Sequence, residues 1–423
     1  MKLKGLWKKI VYAYRNKTLV HRVNVHFQRF LHRWLGLAAY NRRCCRKAWA
    51  KIEQRKIVFS NFRGNGYGCN PKYICEELLR RHGDFDVVWL VRRAFLESKF
   101  PPNVRIVGWG SRQAIKELAT ARVWIDNQRK NNAISRGLVK KPGQTYIQTF
   151  HGAIGIKTCG ADMIKPGDEK SHSAVSSRID AGMIDYLISN SSYETNMYKT
   201  SFFGKGTVKL FGHPRNDIFF RADADEIRRR TLAGLGLPTG RKYILYAPTY
   251  RDSLRIDCYN IDYRGMVAAL KDRFGGEWTA LVRLHPTVRM VPELQPPADI
   301  AVDVCSYPDI QELMVAADAM VTDYSSCIFD YLLSGKPGFV FAVDLEKQNR
   351  ERGFYYPLET TPFSIGLDSR ELCANIRAFD AEKFAADTKA FLASKGCMED
   401  GKASARVVDL IEEELGIKTV WRA

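Results

Sequence analysis

Two successive α/β domains, each a doubly wound parallel sheet, are what this sequence predicts, and three observations predict them. Strand and helix patterns alternate from Lys56 onward, pause at a polar junction, and begin again. The 423 residues exceed the roughly 250–300 at which a single core stops growing. The polar residues that stand out all sit at the ends of apolar strand candidates, where parallel sheets bind ligands.

The elements follow in order. Ile57 to Ser60 reads as a strand running into the Gly-rich turn FRGNGYGCNP, and Asn70 with Pro71 starts a helix that runs through Leu79. Strands at Val87–Val91, Val104–Val107 and Val123–Ile125 continue the series, with a helix near Arg112–Ala119. Tyr146–Phe150 is a further strand ending at His151. Residues 158–180 are polar and read as an irregular loop. Strand Ile184–Ser189, helix Ser192–Thr200 and strand Val208–Phe211 close the first set. GHPRNDIFFRADADE reads as the junction. A helix after Asp223, strand Tyr243–Tyr246, helix Tyr263–Phe274, strands Thr279–Arg283 and Ile300–Val304, and helix Asp309–Ala316 open the second set. Residues 386–423 read as helical, with Val407, Val408, Leu410 and Ile411 on one face. The expected division is 1–52 as a basic arm, 53–215 and 216–385 as the two α/β domains, and 386–423 as a helical segment.

The stretch AMVTDYSSCIFDYLLSGKPGFVFAV is the most informative. Strand Ala319–Val321 feeds Thr322, Asp323, Tyr324, Ser325 and Ser326, then an apolar helix that Gly335 and Pro337 stop, and strand Phe339–Val343 follows. A Ser-rich helix start leaves N–H groups and the positive dipole end facing an anion. An ordinary capped helix would carry the same residues.

Charge is unevenly spread. Residues 1–50 hold thirteen Lys or Arg and no acid, so the formal +20 falls to +7 without them. Trp7, Tyr12, Phe27, Phe30 and Trp34 interleave with those cations, a composition suited to a helix lying on an anionic membrane. Nucleic-acid binding and a plain solvated helix share that composition. No stretch is long and apolar enough to span a bilayer, and the first residues lack a secretory pattern. Ten scattered cysteines, without a CxxC pair, read as reduced thiols in a cytoplasmic protein. No His/Cys metal spacing occurs, and no cofactor or metal is expected. Asp223-Ala224-Asp225 reads as a helix start, and Gly64, Gly66 and Gly68 lack dinucleotide-binding spacing.

The chemistry-bearing residues are therefore strand-end residues: His151, Gly152 and Lys157; His213 and Arg215; Thr249 and Arg251; Arg283 and His285; and Asp323, Ser325 and Ser326. Two of these imidazoles, several cations and an open helix start on one cleft suit a phosphorylated ligand. Arg215, Arg251 and Arg283 are candidate phosphate partners or ion-pair members. Asp323 either caps the helix or orders a cation. Asp330 shares a helix face with Ser326 and reaches either a ribose or a structural partner.

The segments QTFHGAIGIK, GHPRND, YAPTYRD, RLHP and TDYSSCIFDYLLSGKP, in that order, with CNPKYICEELL upstream, resemble the CDP-glycerol glycerophosphotransferase family of teichoic-acid and capsule synthesis. The resemblance covers roughly residues 57–370. It implies a GT-B-like fold, two domains facing a cleft, and transfer of polyol phosphate from a CDP-linked donor with release of CMP. By the resemblance His151 and His285 are the catalytic pair, with Gly152, Lys157, Arg215, Thr249, Arg251, Arg283, Asp323, Ser325, Ser326 and Asp330 around donor and phosphate. It departs at Phe150, where Trp is expected, and in the length of the segment from His151 to Lys157. The resemblance implies CDP-glycerol or a related CDP-polyol and a lipid-linked saccharide or polymer acceptor as partners, and the basic arm, which falls outside the matched region, adds an anionic membrane surface, without nucleic acid. The implied location is the inner face of the cell membrane, as a peripheral protein. The competing readings are a GT-B transferase with a nucleotide-sugar donor and a non-enzymatic basic module binding nucleic acid or membranes.

Overall fold

The structure, a computed structural model, describes residues 51–96, 99–135, 137–249, 251, 257–285, 288 and 294–417. The basic arm expected over 1–52 lies, up to residue 50, outside the described residues.

Seven strands form the first sheet: β1 (Glu53–Ser60), β2 (Asp86–Val91), β3 (Val104–Gly108), β4 (Ala121–Asp126), β5 (Thr145–Gln148), β6 (Tyr186–Ser189) and β7 (Thr207–Leu210). Their order is β3-β2-β1-β4-β5-β6-β7, with every pair parallel. Six form the second: β8 (Lys242–Tyr246), β9 (Trp278–Val282), β10 (Ala301–Asp303), β11 (Ala319–Thr322), β12 (Gly338–Phe341) and β13 (Ser364–Gly366). Their order is β10-β9-β8-β11-β12-β13, again all parallel. This is the GT-B-like pair of doubly wound domains that the sequence predicts. Chain direction across each sheet reverses once, between β1 and β4 and between β8 and β11. A crevice opens at the carboxyl ends of the strands at such a reversal.

Both faces of each sheet are covered, so the central strands are apolar throughout and alternate between two cores. Ile57 and Phe59 pack with Val87, Trp89, Val123 and Ile125 on one face of the first sheet. Val58 packs with Val88, Leu90, Trp124 and Tyr146 on the other. The second sheet repeats this, with Ile244 and Tyr246 in one core and Tyr243 and Leu245 in the other.

The lobes are joined by buried polar contacts. Lys72, on helix Cys69–Arg81, reaches Asp309 at 2.7 Å and Glu312 at 2.8 Å, and the Tyr73 hydroxyl donates to Asp309 at 2.9 Å. The chain then returns to its first lobe. Helix Ala381–Ser394 packs Phe384 and Phe391 into the second core, whereas helix Ala403–Glu414 buries Val407, Val408, Leu410 and Ile411 in the first. The division at residue 385 thus falls inside a helix whose two phenylalanines hold it to the second sheet.

Residues 158–180 are more ordered than the expected loop. They form a short 3-10 turn, Gly160–Met163, and most of helix His172–Ala181, which Ser171 caps by accepting from the Ala174 N–H at 3.2 Å. The buried face of that helix is Ala174, Ser176, Ser177, Asp180 and Ala181. Small and polar residues there erase the apolar period that would have announced it. No helix among the described residues is long and apolar enough to cross a membrane.

Candidate active site

His151 follows β5 on a backbone that only a supported loop can hold. Phe150 and Ala153 both take positive φ, 48° and 45°, in the left-handed region that disfavours non-glycine residues. Gly152 lies against the Phe150 ring so closely that a Cβ would come within 2.6 Å of it. The Phe150 ring in turn lies 4.6 Å from the imidazole, and Phe62 meets it edge-on at 5.1 Å. His151 Nδ1 stands 2.8 Å from the Asn127 carbonyl oxygen. A carbonyl only accepts, so Nδ1 carries the proton and Nε2 keeps its lone pair. Burial, followed by the charges of Arg215, Lys157 and His285, pushes the His151 pKa down to about 4 against that hydrogen bond. The ring is therefore a neutral acceptor at neutral pH.

His285 ends the segment after β9 in the opposite lobe and is exposed at the cleft. Desolvation by the surrounding protein, then Lys157 and Arg283, lower its pKa to about 4 as well. Lys157 bridges the lobes: its Nζ donates to Thr249 Oγ1 at 3.3 Å, and its backbone pairs with Phe354. Burial lowers its pKa to about 8, Asp323 opposes this, and Arg352 and Arg251 add to it. Arg283 donates to the carbonyls of Val304 (3.3 Å) and Tyr307 but forms no ion pair among the described residues. Ser326 donates from Oγ to the His151 carbonyl at 3.4 Å, and Ser325 accepts from Cys327 Sγ at 3.1 Å. Both serines are half-buried, at the point where the lobes meet.

The other sequence-predicted residues lie behind this group. Arg215 is buried and forks onto Asp330 at 2.9 and 3.2 Å, while Asn216 donates to the same carboxylate at 3.0 Å. Burial works against the guanidinium charge, but Asp330 more than offsets it and raises the pKa. Arg251 forks onto Asp344 at 2.8 and 2.9 Å and meets Asp323 at 2.8 Å. Asp323 also accepts the Thr249 N–H, at 2.9 and 3.0 Å. Of the two options the sequence left for Asp323, ordering a cation is the one realised. Arg215, Arg251, Asp323 and Asp330 are thus engaged with one another or with inward partners, and they fix the strand ends that carry the exposed groups. His213 is fully buried, its Nε2 3.0 Å from Glu194.

The helix after Ser326 is shorter than the sequence implies. It spans only Cys327–Tyr331 before tightening into a 3-10 turn, Leu332–Ser334, so its dipole is modest and side chains carry more of the anion chemistry. Sequence reasoning missed Asn127 and Asn70. Asn70 donates to the Phe150 carbonyl at 3.2 Å and accepts from the Arg215 N–H at 3.0 Å. Both follow the strand-end and helix-start logic used elsewhere and were findable. It also missed Arg352, whose buried Nε has no hydrogen-bond partner and whose charge reaches Lys157. Nothing in the polar run LEKQNRER marked it.

This arrangement offers a proton acceptor, a second neutral imidazole, two cations without a direct ion pair among the described residues and two hydroxyls around one cleft. Comparison with known proteins points the same way. A family model described as CDP-glycerol:poly(glycerophosphate) glycerophosphotransferase matches residues 42–413. The chain is similar to the teichoic acid poly(glycerol phosphate) polymerase of Staphylococcus epidermidis, 29% identical over 375 residues, covering 86% of this chain and 51% of that protein. It is also similar to the teichoic acid glycerol-phosphate transferase of Staphylococcus aureus, 29% identical over 378 residues, covering 86% and 95%. The chain spans about half the length of the polymerases from Staphylococcus epidermidis and Bacillus subtilis. Among solved structures, the wall teichoic acid polymerase TagF matches with a TM-score of 0.77 and 27% identity over 94% of this chain and 98% of that one. Solved forms of that polymerase include variants at two different histidines and a soak with CDPG.

Proposed function

The chain belongs to the CDP-glycerol:poly(glycerophosphate) glycerophosphotransferase family, and from that premise we propose that it transfers glycerol phosphate, or a related polyol phosphate, from a CDP-linked donor to an acceptor hydroxyl. The products are a phosphodiester and CMP. The observation that carries this is the pairing of two neutral imidazoles from opposite lobes with Lys157 and Arg283, two cations that form no direct ion pair with a carboxylate among the described residues.

In the proposed reaction the donor's diphosphate lies between the lobes. His151 Nε2 takes the proton of the acceptor hydroxyl as its oxygen attacks the β-phosphorus. The bond from that phosphorus to the bridging oxygen breaks, and the electron pair leaves with CMP. Lys157 and Arg283 meet the charge that grows on the departing phosphate, and His285, Ser325 and Ser326 hydrogen-bond the phosphoryl oxygens. Phosphoryl transfer depends chiefly on positioning and charge stabilisation, so no covalent intermediate is required. Arg215 with Asp330, and Arg251 with Asp323, hold these strand ends in register.

The acceptor in this reading is a lipid-linked saccharide or polymer, and the basic, aromatic residues 1–50 hold the protein on the anionic inner face of the membrane where that acceptor resides. Two measurements test these points. The purified protein is offered CDP-glycerol, CDP-ribitol and a set of nucleotide sugars, with membrane extract as acceptor, and released nucleotide is measured. The expected result is CMP from a CDP-polyol; release from nucleotide sugars alone contradicts the reading. For the arm, sedimentation with liposomes should rise with anionic lipid content and fall on deletion of residues 1–50. Equal sedimentation of the truncated protein contradicts anchoring.

A further inference from the structure

The segment that joins His151 to Lys157 is held in place by side chains that the reaction above does not use. It leaves the first sheet, yet it buries Ile154 and Ile156 in the core of the second lobe. Its backbone then pairs with residues 353–355. The Tyr355 N–H donates to the Ile156 carbonyl at 2.7 Å, and the Thr158 N–H donates to the Gly353 carbonyl at 3.1 Å. The two carbonyls before that pairing are met by tyrosine hydroxyls. Tyr356 donates to Ile154, and Tyr193 donates to Gly155 at 3.4 Å. Tyr193 stands on helix Ser192–Ser201 of the first lobe, whereas Tyr356 packs against the second core. Their rings meet edge-on, 5.4 Å apart at 83°.

Lys395 fills the space beside these rings. Its Nζ lies 3.4 Å from the centre of the Tyr356 ring, 4.9 Å from that of Tyr193 and 5.3 Å from that of Phe391. All three fall within the roughly 6 Å over which a ring face attracts a cation. Among the described residues no carboxylate pairs with this ammonium, and burial lowers its pKa. The rings are what holds it.

The other end of the residue is fixed as well. Lys395 follows helix Ala381–Ser394, where the chain crosses from the second lobe to helix Ala403–Glu414 on the first. Its carbonyl accepts from the Tyr193 N–H and from Ser192 Oγ, both at 3.1 Å. Gly396 takes φ +59°, and a Cβ there would come within 2.2 Å of Ser192 Oγ, so the crossing strand lies hard against the helix that carries Tyr193. The crossing point therefore sets the backbone of Lys395, while rings from both lobes hold its charge. Those same rings aim the hydroxyls that hold the loop between His151 and Lys157. An uncharged side chain of equal length would fill the space without binding the ring faces.

We propose that Lys395 is a positioning residue: through Tyr193 and Tyr356 it holds the carbonyls of Gly155 and Ile154, and so sets Lys157 against the donor's diphosphate. The kinetic part of this rests on the transferase reading; the structural part is tested without turnover. Lys395→Met keeps the aliphatic stem and removes the charge, Lys395→Arg restores a cation that stacks on aromatic faces, and Tyr356→Phe removes only the hydroxyl. Hydrogen exchange of the purified protein without nucleotide is followed across residues 153–159. Exchange there is about tenfold faster in Lys395→Met and in Tyr356→Phe than in the wild type, within about threefold of it in Lys395→Arg, and unchanged in the two sheets. In CMP release from CDP-glycerol, kcat falls about tenfold in Lys395→Met with KM within about threefold. The alkaline limb set by Lys157 moves up from about 8 as that side chain meets more water. The Lys395→Met, Tyr356→Phe double variant loses no more than either single variant, because both act on one loop.

Wild-type exchange at residues 153–159 in Lys395→Met overturns the proposal. So does faster exchange spread evenly over the chain, which would make Lys395 a packing residue. Faster loop exchange with an unmoved alkaline limb overturns it too, since Lys157 would then be placed by other means. If no CDP-polyol releases CMP, the transferase reading fails, and the exchange comparison still decides whether Lys395 holds the loop.

Discussion

The two reversal points facing the cleft treat arginine in opposite ways. Beside β8 and β11, Arg251 is surrounded by Asp323 and Asp344, and the charge is spent inside the protein. Beside β1 and β4, Arg63, Arg92 and Arg129 stand without ion-pair partners among the described residues. Equivalent places in two similar sheets thus differ: one guanidinium is held in a carboxylate pair, and the others form no ion pair among the described residues. An arginine in a phosphate-binding cleft is informative only once its carboxylates are counted.

The comparison breaks most visibly if the paired arginines are the ones that bind ligand. Removing Arg215 leaves Asp330 buried with an uncompensated charge, so Arg215→Ala should lower stability by about 3–5 kcal/mol, read by denaturant unfolding. A variant that loses activity but not stability would place Arg215 in contact with the donor. His151→Ala should reduce CMP formation about 10²–10⁴-fold, while the thermal midpoint falls only modestly from the lost contacts with Phe150, Phe62 and the Asn127 carbonyl. Arg283→Gln should reduce kcat/KM for the donor about 10- to 100-fold with little loss of stability, because its partners are carbonyls rather than a carboxylate. If Arg251→Gln and Arg283→Gln behave alike, the distinction between spent and available charge fails.

The pH profile sharpens the same contrast at smaller scale. The proposed reaction needs His151 neutral and Lys157 charged. His151 becomes protonated as pH falls through about 4, and Lys157 loses its proton as pH rises through about 8. The profile of kcat/KM should therefore be a bell with limbs near those values. An acid limb near the ordinary histidine value of 6.5 would show that burial and neighbouring cations do not act on His151 as described.

Much of this was legible in the sequence. Strand cores such as Ile57–Phe59 and Ile244–Tyr246 are continuous apolar runs, and parallel strands buried on both faces read that way. Helix Tyr263–Phe274 has the bounds its pattern predicts, capped by Asp262. The strand-end rule singled out His151, Lys157, Arg283 and His285, which the structure places near one another. It did not separate Arg283 from Arg251 or Arg215, because the carboxylates that decide the matter are far along the chain: Asp344 is 93 residues from Arg251 and Asp330 is 115 from Arg215. The three-residue strand Ser364–Gly366 is too short to show a period, and helix His172–Ala181 hides its buried face in small polar residues. Arg63 was passed over because its turn lacks dinucleotide-binding spacing, and its positive φ leaves no mark in the sequence.

The most direct test of the account is nitrogen NMR of histidine-labelled protein, following His151 through a pH titration without and with CDP-glycerol. The account predicts an Nδ1–H tautomer that titrates near 4 in the free protein and at a higher pH once the donor's negative charge lies beside it. A ring that titrates near 6.5 in both states, or that carries its proton on Nε2, would contradict it.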